Sequence, residues 1–191
     1  MDPISKFKTW YAEELKKSRA RIPSACCLST NGLDGYPNSR FLSLKEVFDN
    51  TFVITGPLNS RKGIEIQHDP KVSLTFWWTE SERQVRIQGN AEIIDNLLSD
   101  SYFNNRNTES KIVSTISEQG KAISNPSKLT ELLKLKAKEF NDTEINRPKD
   151  WGGFSITPVR IEFLEFDESR LHIRELFTLT KDGWKSEYLQ P

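Results

Sequence analysis

The stretch Val72-Ser73-Leu74-Thr75-Phe76-Trp77-Trp78, followed closely by Arg83-Gln84-Val85-Arg86-Ile87-Gln88, decides the fold class. In the first run Val72, Leu74, Phe76 and Trp78 recur at every second position, so in extended backbone they share one face. In the second, Val85 and Ile87 face one way while Gln84, Arg86 and Gln88 face the other. A half-polar strand of this kind has solvent or a ligand on its polar side.

Working outward, further β-like runs occupy 24–30, 39–47 and 51–55, with the turn cluster Asn31-Gly32-Leu33-Asp34-Gly35 between the first two. Others lie at 154–157, 160–166, 170–180 and 184–189. A first helix is expected from Asp2-Pro3, an N-cap followed by proline, with Phe7, Trp10, Tyr11 and Leu15 at helical spacing, closing at Ile22-Pro23. Helical readings also cover 61–68, 97–106, 110–119 and 127–140, the last with Asn125 as N-cap and Pro126 at its start. Residues 141–150 read as a polar loop. Strands, then helices, then strands predict a mainly β, α+β domain around an antiparallel sheet or barrel. Neither GxGxxG nor GxxxxGK[ST] occurs, which removes support for a dinucleotide fold or a P-loop.

The 191 residues suit one domain, and 27 Lys+Arg against 27 Asp+Glu leave no net charge. Nucleic-acid binding through bulk electrostatics is therefore not expected. Cys26 and Cys27 are adjacent and provide no disulfide framework, and no Cys/His spacing suits zinc, so no metal is expected. No signal peptide and no apolar run of the ~20 residues a membrane span needs is visible. The default is a soluble, cytoplasmic protein.

Three polar clusters stand out. Arg40 and Lys45, read as lying on one strand, precede Ser60-Arg61-Lys62-Gly63 at a helix start, where free N–H groups and cationic side chains could cradle a phosphate. On spacing alone the plainer reading, a capped helix with solvated charges, stands ahead. Tyr102, Arg106 and Ser110 would share a face and suit a second anion if one helix ran through them; Asn107-Thr108 could break it. In Arg170-Leu171-His172-Ile173-Arg174, strand alternation would point both arginines and the histidine to one side. The tryptophans fit core packing better than ligand stacking. Cys26 and Cys27 lie in an apolar strand, one of them expected to pack inside.

These clusters resemble the pyridoxamine 5′-phosphate oxidases. The resemblance rests on RFLSLK (40–45), NSRKG (59–63), DPKVSLTFWW (69–78), ERQVRIQG (82–89), YFNNR (102–106), ESKI (109–112), WGGF (151–154), RIEF (160–163), RLHIR (170–174) and the terminal YLQP. These segments run in order through nearly the whole chain. The resemblance implies an FMN-binding split β-barrel, a six-stranded antiparallel barrel with flanking helices, acting as a homodimer with FMN at the subunit interface. It implies one domain over 1–191, with a barrel core at 18–96, a helical segment at 97–150 and C-terminal dimerisation strands at 151–191.

Carried over by position, the FMN-binding set is Arg40, Phe41, Leu42, Lys45, Thr55, Arg61, Lys62, Gln84, Gln119 and Arg174. Arg40, Arg61 and Lys62 would hold the flavin phosphate, and Gln84 would reach the flavin from the partner's side of a shared site. Lys45, Tyr102, Arg106 and Ser110 would meet the phosphate of a vitamin B6 substrate, with Arg170 and His172 over its pyridine ring as the catalytic pair. The implied reaction moves a hydride from the substrate's C4′ carbon to the flavin, and oxygen takes up the electrons as hydrogen peroxide. The product is pyridoxal 5′-phosphate.

Several positions depart from the family pattern. Leu164 stands where a Trp packs near the flavin, Ile173 replaces an Asp, Gly120 replaces a Ser and Ile54 replaces an aromatic. The amino-terminal extension that helps close over the substrate is expected to be absent. Two alternatives follow: a related flavin oxidase acting on another reduced ring compound, like the phenazine-biosynthesis oxidases, or a noncatalytic protein that binds FMN or pyridoxal phosphate.

Overall fold

The computed structural model describes residues 2–139 and 145–191. The chain runs α1 (Pro3–Lys17), β1 (Ala25–Asn31), β2 (Pro37–Ser43), β3 (Glu46–Phe48), β4 (Thr51–Pro57), α2 (Arg61–His68), β5 (Lys71–Trp78) and β6 (Arg83–Ile93). It continues with α3 (Asn96–Asn104), α4 (Thr108–Ile116), α5 (Ser127–Glu139), β7 (Trp151–Glu165), β8 (Ile173–Thr180) and β9 (Gly183–Leu189).

Strands β5 and β6 pair antiparallel, with Val72 opposite Gly89 and Trp78 opposite Arg83. Val72, Leu74, Phe76, Trp78, Val85 and Ile87 are all buried, so period-two alternation selects the core face. Cys26 is buried and Cys27 is not; burial pushes the Cys26 thiol up to about 12, which leaves it unreactive. Phe7 of α1 closes one end of the core, its ring centroid 4.9 Å from Phe52 and 5.1 Å from Phe76.

The strand order β2-β1-β5-β6-β7-β4-β3 explains the curvature. Its two edge strands, β2 and β3, are consecutive in sequence and joined through Leu44-Lys45. The Leu44 N–H donates to Ser24 O on one side (2.9 Å) and the Lys45 N–H to Val53 O on the other (2.8 Å). The sheet therefore curls until its ends meet, and the run read as one strand over 39–47 is two. Lys45 thus lies in the kink and not on the strand of Arg40. The kink exists because buried Leu44 turns inward while the backbone changes pairing partner.

Other boundaries differ for similar reasons. The first helix ends at Lys17, not at Ile22, because the Ser18 hydroxyl accepts from the Ala20 N–H and turns the chain. The two strands read at 154–157 and 160–166 are one long β7. Pro158 offers no N–H, and a register shift at Gln88/Gly89 of β6 accommodates it. The reading of 127–140 as a helix holds through Glu139; Phe140 and residues 141–144 of the expected loop lie outside the described residues.

The helices α3–α5 flank the sheet around a small second core of Phe103, Ile112, Ile145 and Trp151. Gly63, in the first turn of α2, packs directly on the turn that joins β4 to α2. A Cβ there would lie 2.2 Å from the Leu58 carbonyl oxygen, which is backbone and cannot step aside. Gly63→Ala is expected to destabilise by about 2–3 kcal/mol and to lower Tm by roughly 5–10 °C in calorimetry. An unchanged Tm would show that the contact is not needed.

Candidate functional site

Where β2, β4, α2 and α4 meet, two clefts open side by side. The first, about 280 Å³, is lined by Arg40, Phe41, Leu42, Thr55, Lys62, Ser114, Ser117 and Gln119 among others. The second, about 480 Å³, is lined by Ser43, Lys45, Thr55, Tyr102, Asn105, Arg106, Asn107 and Ser110. Thr55 and Arg106 belong to both.

In the first cleft the start of α2 is organised by Ser60. Its hydroxyl accepts from the Gly63 N–H as N-cap and donates to Pro57 O at 2.6 Å. Lys62 is buried, and its ammonium donates to Ser60 Oγ (3.0 Å) and Gln119 Oε1 (2.7 Å). Burial, reinforced by the charge of Arg40, lowers Lys62 to about 8. Beneath it Glu65, 1% exposed, accepts from Thr30 Oγ1 (2.6 Å), Asn38 Nδ2 (2.6 Å), Arg40 Nη2 (3.0 Å) and Arg61 Nε (3.0 Å). Burial opposes its charge, but these donors outweigh it and hold the carboxyl below the usual range.

In the second cleft the single helix through Tyr102, Arg106 and Ser110 is absent. Asn107 ends that possibility by capping α4, its side chain accepting the Ser110 N–H at 2.8 Å. The break still brings the three residues to one cleft, because Arg106 Nη2 reaches forward to Ser110 O (3.1 Å). The Arg106 guanidinium lies 5.0 Å over the Trp151 ring, and its Nε is buried without a hydrogen-bond partner among the described residues. Burial lowers both Arg106 and, with help from the Arg106 charge, Lys45. The Tyr102 hydroxyl donates to the Glu46 carboxylate; burial first and that acid second push its pKa up.

Not every expected residue reaches these clefts. Arg61 is largely exposed, paired with Asp34 (3.3 Å) and Glu65 (3.0 Å), and lines a separate hollow beyond α2 with Gly120 and Lys121. Gln84 and Arg174 line neither cleft. They share a cross-strand row, Gln84 opposite Leu164 and Leu164 opposite Arg174, and Arg174 is held by Glu162 (2.8 Å). The common face read for Arg170, His172 and Arg174 is not formed, because β8 begins at Ile173. Arg170 has φ 64° in the preceding loop, where strand alternation does not apply.

Ser114 and Ser117, which line the first cleft, follow Ser110 at helical spacing; that signal was available in the sequence. Glu65 as the hub of Arg40 and Asn38 had no such signal.

Fold and site together define a curled antiparallel sheet carrying two adjoining cationic clefts. The family described as pyridoxamine 5′-phosphate oxidase matches residues 13–144, and its C-terminal dimerisation region, described under pyridoxine 5′-phosphate oxidase, matches 151–191. Relatives named pyridoxine/pyridoxamine 5′-phosphate oxidase are 38% identical in a Cyanothece species, over 100% of this chain and 89% of the relative, and 40% identical in Actinobacillus pleuropneumoniae, over 100% and 90%. PhzG from Burkholderia lata, solved with tetrahydrophenazine-1-carboxylic acid, superposes with a TM-score of 0.89 at 27% identity, covering 100% and 93% of the two chains. A pyridoxamine 5′-phosphate oxidase-related, FMN-binding protein from Nostoc punctiforme shares the fold, with a TM-score of 0.79 at 17% identity and 97% of each chain covered. The chain belongs to the pyridoxamine 5′-phosphate oxidase family.

Proposed function

We propose that this chain is an FMN-dependent oxidase that converts pyridoxamine or pyridoxine 5′-phosphate to pyridoxal 5′-phosphate, with oxygen reduced to hydrogen peroxide. The observation that carries the reading is the pair of adjoining clefts, each with its own cations and joined through Thr55 and Arg106. A reaction between two phosphorylated molecules needs two anion sites side by side.

The residues present fit FMN in the first cleft. Buried Lys62, beside Arg40, holds a charge whose desolvation an anion would offset, and exposed Phe41 and half-buried Leu42 offer apolar surface to a planar ring. When bound, FMN supplies an electron-accepting ring system that the side chains lack. Arg40 and Lys62 would hold its phosphate, with Gln119 orienting the ammonium. Lys45, Tyr102, Arg106 and Ser110 would hold the substrate phosphate, and the orphaned Arg106 Nε has a donor to spare. Since Gln84, Arg170, His172 and Arg174 line neither cleft of their own chain, we assign them to the site of a second copy. That makes the working unit a homodimer joined through 151–191, and the isolated chain inactive.

Incubating FMN-loaded protein with pyridoxine 5′-phosphate in air should yield aldehyde and peroxide in equal amounts. No turnover with flavin bound would sink the reading. The likeness to PhzG and the modest side chain of Leu164 favour one competitor, an oxidase of another reduced ring compound. Oxidation of such a compound without activity on B6 phosphates would establish it.

Lys62 sets a pH dependence. Its ammonium is lost as pH rises through about 8, so one cation of the flavin phosphate site disappears above that value. FMN affinity is therefore expected to fall about tenfold between roughly pH 7 and pH 9 in a fluorescence titration. Lys62→Met should bind weakly at both values and lose the dependence.

A further inference from the structure

The loop between β7 and β8 holds His172 by two independent means. The Asp167 backbone N–H donates to His172 Nδ1 at 3.0 Å. A backbone N–H can only donate, so Nδ1 carries no proton and the neutral ring carries its proton on Nε2. The plane of the ring is set separately: His172 packs edge to face on Phe166, centroids 5.2 Å apart at 76°. Phe166 in turn packs on Trp77 at 5.5 Å.

Each support is itself anchored. The Phe166 N–H donates to Glu82 O in the β5–β6 turn (2.9 Å), and the Arg170 N–H to Asp167 O (3.0 Å). The Asp167 carboxylate accepts the Ser169 N–H at 2.8 Å, closing an Asx turn. Trp77 stands opposite Gln84, which stands opposite Leu164, so the ladder adjoins the row that carries Gln84 and Arg174. Trp77 is 64% exposed, an unusual placement for so large an apolar side chain on a sheet.

We propose that Asp167, Phe166 and Trp77 are positioning residues that fix His172 as an Nε2–H hydrogen-bond donor, not a base, toward an oxygen acceptor of the bound ligand. The functional part of this assignment rests on the oxidase reading; the tautomer and ring orientation do not. His172 meets its ligand with the proton already placed and the ring already oriented, so no rotamer or tautomer search accompanies binding. Phe166 and Trp77 act only through His172.

The chain has two histidines, and His68 is exposed at the end of α2, so His68→Gln leaves one imidazole to observe. Two-bond ¹H–¹⁵N spectra of the ¹⁵N-labelled variant at about pH 8, above the ordinary imidazole range, should show His172 as the Nε2–H tautomer. Its ring protons should be shifted by the neighbouring aromatic. Phe166→Leu should remove that ring shift and raise KM about two- to tenfold with kcat less affected. Trp77→Leu, at an exposed position that does not threaten folding, should do the same in weaker form. A free-imidazole mixture or an Nδ1–H tautomer in the parent would overturn the proposal. So would unchanged His172 spectra in both variants. A fixed Nε2–H tautomer in a protein that does not oxidise pyridoxine 5′-phosphate would sink the oxidase reading and leave the loop assignment standing.

Discussion

Arg106→Ala is expected to lower kcat/KM for pyridoxine 5′-phosphate by about 100-fold or more, the equivalent of about 3 kcal/mol in charge-assisted hydrogen bonds. Arg106 lines both clefts, lies on Trp151 and keeps a buried Nε without a partner, so an anion is the natural acceptor for it. The loss should fall on phosphorylated substrates. Discrimination between pyridoxine 5′-phosphate and pyridoxine, measured as a ratio of kcat/KM, should therefore collapse in the variant. Arg106→Lys keeps a charge but not the planar stack on Trp151 and should recover only part of the loss. Equal losses on phosphorylated and unphosphorylated substrates would remove Arg106 from the anion site.

Arg40→Met should cost stability and cofactor together. It removes one guanidinium from Glu65, a carboxylate 1% exposed, and leaves the Thr30 hydroxyl without its Arg40 donor. Arg61 and Asn38 retain their bonds to Glu65, so the expected loss is about 2–3 kcal/mol, at the low end for breaking a buried pair. Tm should fall by roughly 5–10 °C. FMN should fail to stay with the protein through purification, read as loss of the visible absorbance. Arg40→Met with Glu65→Gln should regain much of the stability without regaining the flavin, because the buried side chain at 65 then carries no charge that has lost a guanidinium partner. Recovery of both would mean that Arg40 serves the fold alone.

Much of the grouping in the candidate site was legible because its parts are local. The N-cap Ser60 with Lys62 and Gly63 is a helix start whose chemistry follows from adjacent residues. The grouping of Tyr102, Arg106 and Ser110 survived the helix break that Asn107 introduces. Arg61 lines neither cleft. One helical turn puts it beside Glu65, and Asp34 from a distant turn completes its pairing. The one-face reading of Arg170 and His172 failed because Asp167 and Ser169 close a turn there, and turn hydrogen bonds leave no trace in strand periodicity. Asx turns are visible as residue types, but whether one ends a strand depends on the pairing of the next.

What the sequence determined by itself is what nearest neighbours and simple periods decide. Alternation at Val72, Leu74, Phe76 and Trp78 chose the buried face, since successive side chains of a strand point oppositely whatever it pairs with. The scattered segments from RFLSLK to RLHIR carried the resemblance to its family. Tertiary structure alone decided which cations work together. Lys45 meets Tyr102 and Arg106 across the second cleft because the sheet curls through the Leu44-Lys45 kink, and Lys62 meets Gln119 because the segment that follows α4 comes back to the start of α2. Such contacts join residues more than fifty positions apart, and no local period encodes them. They exist only once burial of the common core has brought the strands together.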